Sequence, residues 1–329
     1  MDTMWKTTFR AAGIGLAAAA LMFGANSARP GTLNYVEGQV SVAGSTMGSS
    51  NVGSTEVEPG QVLSTGQGKA EMLLTPGVFL RLGDQSAVRM VSPSLIDTRV
   101  EVLRGEAMVE ADQLVPGNHL VVADGGTDIQ IEKKGLYKFG VNPAMVAVYD
   151  GKADVMQNHK NVEIGKGKEL MLASAQKPTS FDRKTGDSLY QWSDVRSEYL
   201  AEANENSVQM IVGADPGWWW DGPGWYWNPW FASYAWIPGD GFFYNPFGFG
   251  FYSPVYWRYH APASYFVRPG VTAAVPHVVA RGGFRGGFRG GVAPAAGRFS
   301  GGGFGGFHGG FAGGGFHGGG GFHGGGGRR

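Results

Sequence analysis

Cysteine is missing from all 329 residues of this chain. A chain without thiols forms no disulfide bonds, carries no lipid on an N-terminal cysteine and has no cysteine nucleophile. Such a protein is held together by the burial of apolar side chains. The sequence therefore predicts a sizeable hydrophobic core rather than a small domain stabilised by cross-links.

The common catalytic motifs are missing as well. The sequence contains no Gly-x-Ser-x-Gly elbow and no His-Glu-x-x-His zinc motif. His119 and His159 are the histidines that precede residue 214, and both are predicted to be exposed turn residues. We therefore predict a protein that is not an enzyme and that needs no cofactor.

Two pairs of carboxylates lie beside turn signals, namely Glu56 with Glu58 and Asp124 with Asp128. Paired carboxylates serve as acid and base in glycoside hydrolysis when a fold brings them to a fixed separation. Positions next to turns are usually solvated. We expect these four side chains to be loop charges rather than a catalytic pair.

Lysine does not occur after Lys184, and charge is distributed unevenly along the chain. The whole sequence has 27 basic and 27 acidic residues, but acidic residues predominate over residues 29–213 and basic residues over 214–329. Apart from histidine, the cations of the second part are arginines, whose flat guanidinium stacks well on aromatic rings. The two parts are therefore expected to follow different chemistry.

No apolar run has the length of about 20 residues that a membrane helix needs. The longest one, residues 11–25, follows Lys6 and Arg10 and precedes small residues suited to a signal peptidase. It predicts a Sec-type signal peptide over residues 1–28, with an uncleaved anchor as the alternative. The mature protein is then periplasmic, secreted or on the cell surface, without an integral membrane span.

Short runs of alternating apolar and polar residues extend from residue 33 to about residue 173, separated by glycine-rich turn signals. Side chains that alternate at period two belong on β-strands. One phrase, Gly–polar–small apolar–any–Val or Met, begins at Gly38, Gly68, Gly105 and Gly151. Each of these glycines is predicted to form a turn before a short strand. The pattern predicts an all-β fold, a sandwich or roll of a dozen or so short strands.

Composition divides the chain into five parts. After the signal peptide and a β-domain over residues 29–175, residues 176–213 are predicted to hold a linker and one amphipathic helix. Residues 214–270 are rich in Trp, Tyr, Gly and Pro, and residues 271–329 form a tail rich in Arg, Gly, Phe and His. The tail is predicted to be disordered, because its few apolar side chains cannot offset the entropy of ordering so many glycines.

The predicted helix begins with a capping-box pattern at Ser188 and packs on the β-domain. Its apolar seam follows at helical spacing through Leu189, Trp192, Tyr199 and Ala203, with Arg196 as an interruption. A loosely attached linker helix is the alternative. In the segment that follows, frequent proline is expected to forbid a helix and to leave turns and extended pieces.

Candidate contact residues come from the aromatic segment and the tail. Flat aromatic faces suit sugar rings, and arginine suits anionic surface polymers. The candidates for a protein or glycan contact are Trp225, Trp227, Trp230, Trp236, Arg281, Arg285 and Arg289. The alternative is that the aromatic residues pack on one another as a compact cap. Weak metal-ligand candidates are His308, His317 and His323, although their flexible spacing predicts no fixed metal site.

Several phrases in the β-domain resemble the FecR domain, the periplasmic module named after the iron-dicitrate transport regulator. The resemblance is carried by residues 38–42 (GQVSV), 59–66 (PGQVLSTG), 68–74 (GKAEMLL), 76–82 (PGVFLRL), 103–107 (LRGEA) and 149–155 (YDGKADV). It implies an all-β envelope domain. Regulator members of the family relay a signal to a cytoplasmic sigma factor. Because only ten residues precede the apolar run here, no direct contact with a sigma factor is expected.

The sequence thus predicts a non-enzymatic exported envelope protein whose FecR-like domain binds a protein or glycan partner in the periplasm or at the cell surface. Because an exported protein does not meet cytoplasmic nucleic acid, we expect no nucleic-acid partner. One alternative is a periplasmic sensor that acts with a separate membrane signal transducer. Another is a carbohydrate-binding module that uses the aromatic segment.

Overall fold

Fifteen strands pair into one continuous sheet in the computed structural model, which describes residues 28–157, 160–173, 177–184, 186–214, 220 and 222–260. The predicted signal peptide, except for Ala28, and the predicted tail lie outside these residues. The strands are β1 (Leu33–Val42), β2 (Ser45–Met47), β3 (Val62–Leu73), β4 (Val78–Leu82), β5 (Ala87–Pro93), β6 (Asp97–Arg104), β7 (Glu106–Ala111), β8 (His119–Asp124), β9 (Thr127–Ile131), β10 (Gly135–Val141), β11 (Ala144–Asp150), β12 (Lys152–Gln157), β13 (Lys160–Gly165), β14 (Lys168–Met171) and β15 (Thr179–Ser180).

The long strand β3 divides this sheet into two halves. One edge of β3 pairs with β1, and β2 continues from there. On the other edge, β5 pairs with residues 62–64 of β3, whereas β4 pairs with residues 70–73. The first half continues in the order β5-β6-β8-β9-β12-β13, and the second in the order β4-β7-β10-β11-β14-β15. Strands β6 and β8 are parallel because the intervening β7 lies in the second half.

The inner faces of both halves contribute to one hydrophobic core. From the first half come Val88, Val100 and Val122, and from the second come Leu80, Val109 and Phe139, all of them fully buried. Successive side chains of a strand point to opposite faces of the sheet, so every second residue of each strand contributes to this core. The predicted all-β fold of short strands is confirmed.

The second half is buried on its outer face as well. Every residue of β4 is buried, because helix α1 (Ser188–Ala214) and the segment after it cover this face. The predicted helix is therefore present and packs on the β-domain. Its N-cap is Asp187 rather than Ser188: the Asp187 carboxylate accepts a hydrogen bond of 2.9 Å from the backbone N–H of Tyr190. No helix within the described ranges is long and apolar enough to cross a membrane.

Residues 222–260, here called the aromatic cap, form two hairpins and a short helix. The elements are β16 (Gly224–Asn228), β17 (Ser233–Ile237), β18 (Phe242–Tyr244), β19 (Gly250–Tyr252) and α2 (Pro254–His260). The expectation that proline forbids a helix here is wrong for α2. Pro254 is the first residue of α2, where its missing N–H costs no hydrogen bond. The hydroxyl of Ser253 accepts a hydrogen bond from the N–H of Tyr256 and caps the helix.

The glycines of the repeated phrase occupy two kinds of position. Gly105 and Gly151 lie between strands with positive φ angles of 71° and 94°, as predicted for turns. Gly38 and Gly68 lie inside β1 and β3, where they face each other at a register shift. A Cβ on Gly38 would lie 2.2 Å from the carbonyl oxygen of Gln67. Close approach of two backbones requires glycine at both positions, and Gly38 also has a positive φ of 67° although it lies inside a strand.

The expectation that Asp124 is a solvated loop charge is wrong, because this carboxylate is fully buried. It follows Leu120 and Val122 at period two on β8 and therefore lies on the inner face, at the end of the core. Burial raises the pKa of Asp124 to about 7. The other three carboxylates of the predicted loop pairs, Glu56, Glu58 and Asp128, are exposed, as is His119. His159 lies outside the described residues.

Replacing Gly151 by alanine should destabilise the fold more than the same change at Gly117. A Cβ on Gly151 would lie 2.1 Å from the hydroxyl of buried Tyr137 and 2.7 Å from the carbonyl oxygen of Lys134. Gly117 has a similar φ of 80°, but a Cβ there meets open space. We expect Gly117→Ala to cost about 1–2 kcal/mol of unfolding free energy and Gly151→Ala clearly more in urea titrations. Equal costs would contradict the close packing at Gly151.

Asp124→Asn should change how stability depends on pH. Because the folded pKa is raised, the folded state binds the proton more tightly than the unfolded chain does, so stability falls as pH rises from about 4 to about 7. Asparagine cannot ionise and should match wild type near pH 4 while being more stable above pH 7. Thermal unfolding across this range measures the difference. A difference that does not vary with pH would show that Asp124 is ionised normally.

Candidate functional site: a buried charge cluster beneath an aromatic rim

Three charged side chains lie on the covered outer face of the second half-sheet. Arg81 of β4 contacts Glu71 of β3, with 2.9 Å between Nε and Oε2, and Glu110 of β7, with 2.5 Å between Nη1 and Oε2. All three side chains are completely buried. Period two directs them outward from the core, and the helix and cap then exclude water from them.

Helix α1 completes this cluster with Arg196. Its Nη2 lies 3.0 Å from Oε1 of Glu71, and its guanidinium lies over the rings of Tyr35 and Tyr199, 4.7 and 5.2 Å from their centroids. Stacking between two rings adds cation–π attraction to the ion pair. The apparent interruption in the apolar seam of α1 is therefore its main polar contact with the sheet.

Glu71, Arg81, Glu110 and Arg196, here called the charge cluster, are electrically balanced. Burial alone would raise the pKa of Glu71, but the positive charges of Arg196 and Arg81 outweigh it and lower that pKa. Burial opposes the charge of Arg81 in the same way, and Glu110 and Glu71 raise its pKa in turn. Each ion is stabilised by its neighbours, so the loss of one leaves another buried without compensation.

The aromatic cap is bonded to the charge cluster. The carboxylate oxygen Oε1 of Glu110 accepts hydrogen bonds from Ser197 of α1, at 2.7 Å, and from the side-chain amide of Asn245, at 2.8 Å. On the other side of the cluster, the amide of Asn34 donates to Glu71 and to the carbonyl oxygen of Tyr234, and its oxygen accepts from the N–H of Tyr234 at 2.7 Å. Both hairpin regions of the cap are thus tied to buried charges.

Two further asparagines join the cap to α1. Asn204 donates to the carbonyl oxygens of Trp236 and Tyr252 and accepts from the N–H of Tyr252. Asn228 donates to the carbonyl oxygen of Ala203 at 3.2 Å and accepts from the N–H groups of the turn that follows it. A side-chain amide satisfies a donor and an acceptor at once, so these residues replace backbone pairing between irregular segments.

Three aromatic side chains of helix α1 and the first hairpin of the cap are exposed, namely Tyr199, Trp227 and Trp230, and Phe231 is half-buried beside Tyr199. Tyr199, Trp227, Trp230 and Phe231 are here called the aromatic rim. The hydroxyl of Tyr199 donates to the carbonyl oxygen of Phe231 at 3.0 Å, and their rings meet edge to face with centroids 4.8 Å apart. Trp230 is 70% exposed and Trp227 is 38% exposed. Large aromatic side chains that remain exposed on an ordered surface are typical of contact sites.

Trp227 lies directly against the loop that follows β2. A Cβ on Gly53 would lie 2.5 Å from Cζ3 of Trp227, so the indole occupies the space that any side chain at residue 53 would need. The opposite contact is Tyr234 across the hairpin, with ring centroids 5.3 Å apart. The Trp227 ring is thus held between loop and hairpin with one part in solvent.

The structure separates the four tryptophans predicted as contact residues. Trp227 and Trp230 lie on the rim, whereas Trp225 and Trp236 are buried in a cluster with Phe79 and Phe251. For Trp225 and Trp236, the alternative of a compact aromatic cap is therefore correct. The other candidates, Arg281, Arg285, Arg289, His308, His317 and His323, lie outside the described residues. Within the described ranges, no group of three or more His, Asp or Glu is placed to hold a metal ion.

Sequence reasoning missed the charge cluster. One signal was present in β4, where Arg81 occurs within the otherwise apolar run Val78–Leu82, since a charge in a buried strand requires a partner. A second was Arg196 in the apolar seam of α1. Pairing the two required knowing that α1 lies across β3 and β4, which the sequence pattern does not contain.

Comparison with protein-family models and with curated proteins finds no match. Among solved structures, the chain is similar to two crystal structures of a "putative anti-sigma factor" from Parabacteroides distasonis ATCC 8503. The TM-scores are 0.33 and 0.32, with 15% sequence identity in each case. Each comparison covers 37% of this chain and 61% of the other, so the chain spans less than two thirds of those structures.

Arg196→Met should destabilise the protein strongly, because it leaves the fully buried Glu71 with one arginine instead of two. Removing one partner of a buried ion pair typically costs about 3–5 kcal/mol. Arg89→Met is a matched control, since Arg89 pairs with Glu101 on the surface with 43% of its side chain exposed. We expect the control to cost about 1 kcal/mol or less. Urea unfolding of both variants measures this, and similar losses would contradict the role assigned to Arg196.

Proposed function

We propose that this protein is a non-enzymatic exported interaction module of the FecR type, whose aromatic rim binds a protein or glycan partner in the periplasm or at the cell surface. The observation that carries the proposal is the exposure of Trp230, on a turn whose N–H groups bond to Asn228, and of Trp227 on the adjoining strand β16. Elsewhere in the cap, Trp225 and Trp236 are buried. A rigid turn loses little entropy on binding, which favours contact through these indoles.

Assignment to the FecR type rests on residues of the β-domain. The phrases that carry the resemblance lie on β1, β3, β4, β6, β7, β11 and β12, and their glycines serve turns and close backbone contacts. These residues support a scaffold rather than an activity. Export is supported by the charged and apolar N-terminal pattern of residues 6–28.

Carbohydrate binding is the second candidate, because Trp230 presents a flat indole and is 70% exposed. Sugar rings stack their apolar faces on such surfaces while hydroxyls remain hydrated. The sensor hypothesis differs in its consequence for the cell: deletion of the gene would change transcription of a transport operon. It has no specific support in the geometry of the rim.

Trp230→Ala should weaken partner binding without unfolding the protein, since this side chain is mostly in solvent. Tyr244→Ala is the matched control, because Tyr244 is an exposed aromatic of the cap, at 63%, that lies outside the rim. An aromatic anchor at the centre of an interface contributes about 2 kcal/mol or more, equivalent to roughly a thirtyfold loss of affinity. Co-sedimentation with purified cell-wall glycan tests the carbohydrate partner.

Site-specific photo-crosslinking from residue 227 in native cells tests the protein partner. Crosslinks that Trp230→Ala abolishes and Tyr244→Ala retains would support a protein contact, and glycan co-sedimentation with the same pattern would support carbohydrate. Equal behaviour of the two variants in both assays would refute the rim as the contact site. Fractionation that places the native protein in the cytosol would refute export.

A further inference from the structure

A fifth ionisable side chain lies beside the charge cluster. Asp112 follows Glu110 by two residues and therefore belongs to the same face of the chain, just after β7 ends. Its N–H donates to the carbonyl oxygen of Gly77 at 2.7 Å, and its residue is 4% exposed. Trp236 of the cap packs against this Gly77: a Cβ on Gly77 would lie 3.1 Å from Cε2 of the Trp236 ring.

The charge cluster has no countercharge left for Asp112. Glu71 and Glu110 are balanced by Arg81 and Arg196. No described residue forms a salt bridge with Asp112, and no N–H or hydroxyl group in the described part of the chain donates a hydrogen bond to its carboxylate oxygens. An ionised Asp112 would be a third negative charge next to Glu110 in a site buried from bulk solvent, which is strongly unfavourable.

We propose that Asp112 is held as a neutral carboxylic acid beside Glu110 and that this proton controls how firmly the aromatic cap docks on the sheet. In the docked form the proton removes a charge that the cluster cannot balance. When the cap lifts, water reaches Asp112 and it ionises as an ordinary carboxyl. A rise in pH therefore favours the lifted cap, and the side chain acts as a proton-dependent latch.

The electrostatic surroundings of Asp112 agree with this arrangement. Burial, followed by the negative charge of Glu110 on β7, raises the pKa of Asp112 well above its usual range. Arg81 of β4 and Lys134 of the β9–β10 connection oppose the rise without reversing it. From α1, Asp194 adds a negative charge that interacts with Glu110 and Arg81. The cap residues packed nearby, Trp236 and Phe243, are uncharged.

The sign and size of the pH effect follow from proton linkage. The docked form binds the proton more tightly than the lifted form, whose Asp112 has an ordinary pKa of about 3.9. Between that value and the raised one, each unit of pH lowers the docked-to-lifted ratio by up to about tenfold. Below about pH 4 the effect disappears, because both forms are protonated.

The test measures the exposure of tryptophan in the full chain by acrylamide quenching from about pH 5 to about pH 9, a range that extends above the ordinary carboxyl pKa. In wild type we expect quenching to increase with pH as Trp225 and Trp236 become accessible. Asp112→Asn keeps the shape of the neutral acid and should remove this increase. Asp124→Asn, which removes the buried carboxyl at the end of the inner core, should retain it. Quenching of Asp112→Asn that follows wild type at every pH would refute the latch.

A second measurement needs no substitution. Carbon-13 NMR of the side-chain carboxyl gives the titration of Asp112 in the folded wild-type protein. A protonated carboxyl at pH 6 would support the proposal, whereas titration close to pH 4 would overturn it, because Asp112 would then be ionised beneath a docked cap. Should Asp112→Asn fail to fold, this titration and the quenching of the wild-type protein decide the question together, because a protonated Asp112 without a rise in quenching above the ordinary carboxyl pKa would also overturn the latch.

Discussion

The ion pairs among Glu71, Arg81, Glu110 and Arg196 connect every layer of this protein. Three of these residues belong to the sheet and one to the helix, while the cap binds to their carboxylates through Asn34 and Asn245. Buried ions are costly to desolvate and are tolerated only when each is paired. The need to pair them therefore determines where the helix crosses the sheet and where the cap lies on both.

Specificity is the main effect of such a cluster. Apolar contacts between helix and sheet tolerate sliding, because dispersion forces have little directional preference. Charged groups in hydrogen-bonding geometry accept one arrangement, since any shift leaves an ion unpaired. The aromatic rim inherits this precision: Tyr199 belongs to the same helix as Arg196, and the turn that holds Trp230 is bonded to that helix through Asn228. In the docked cap, a surface of irregular hairpins is thereby fixed in position.

Local patterns predicted the scaffold well and the site only in part. Alternating residues and turn glycines indicated the strands, because these signals depend on neighbours in sequence. The prediction of turns at Gly38 and Gly68 is wrong, because glycine is needed there for a contact between two strands about thirty residues apart. The turn that directly follows Asp124 predicts a loop charge, whereas the strand pairing of β8 places this carboxylate on the inner face. The division of the tryptophans into buried and exposed depended on which face of each hairpin meets the sheet, which is a tertiary property.

The charged face of the second half-sheet also has a consequence for biosynthesis. Asn34 and the Tyr234 backbone that it binds are 200 residues apart, so a chain made from its N-terminus completes the sheet strands long before the cap exists. Without the cap, a folded sheet would present Glu71, Arg81 and Glu110 to water, and hydrated charges discourage a sheet from associating with other chains. An apolar face of equal size would pack as well in the finished protein, but it would be adhesive until covered. The same side chains therefore serve as a temporary hydrophilic surface before they become an interior.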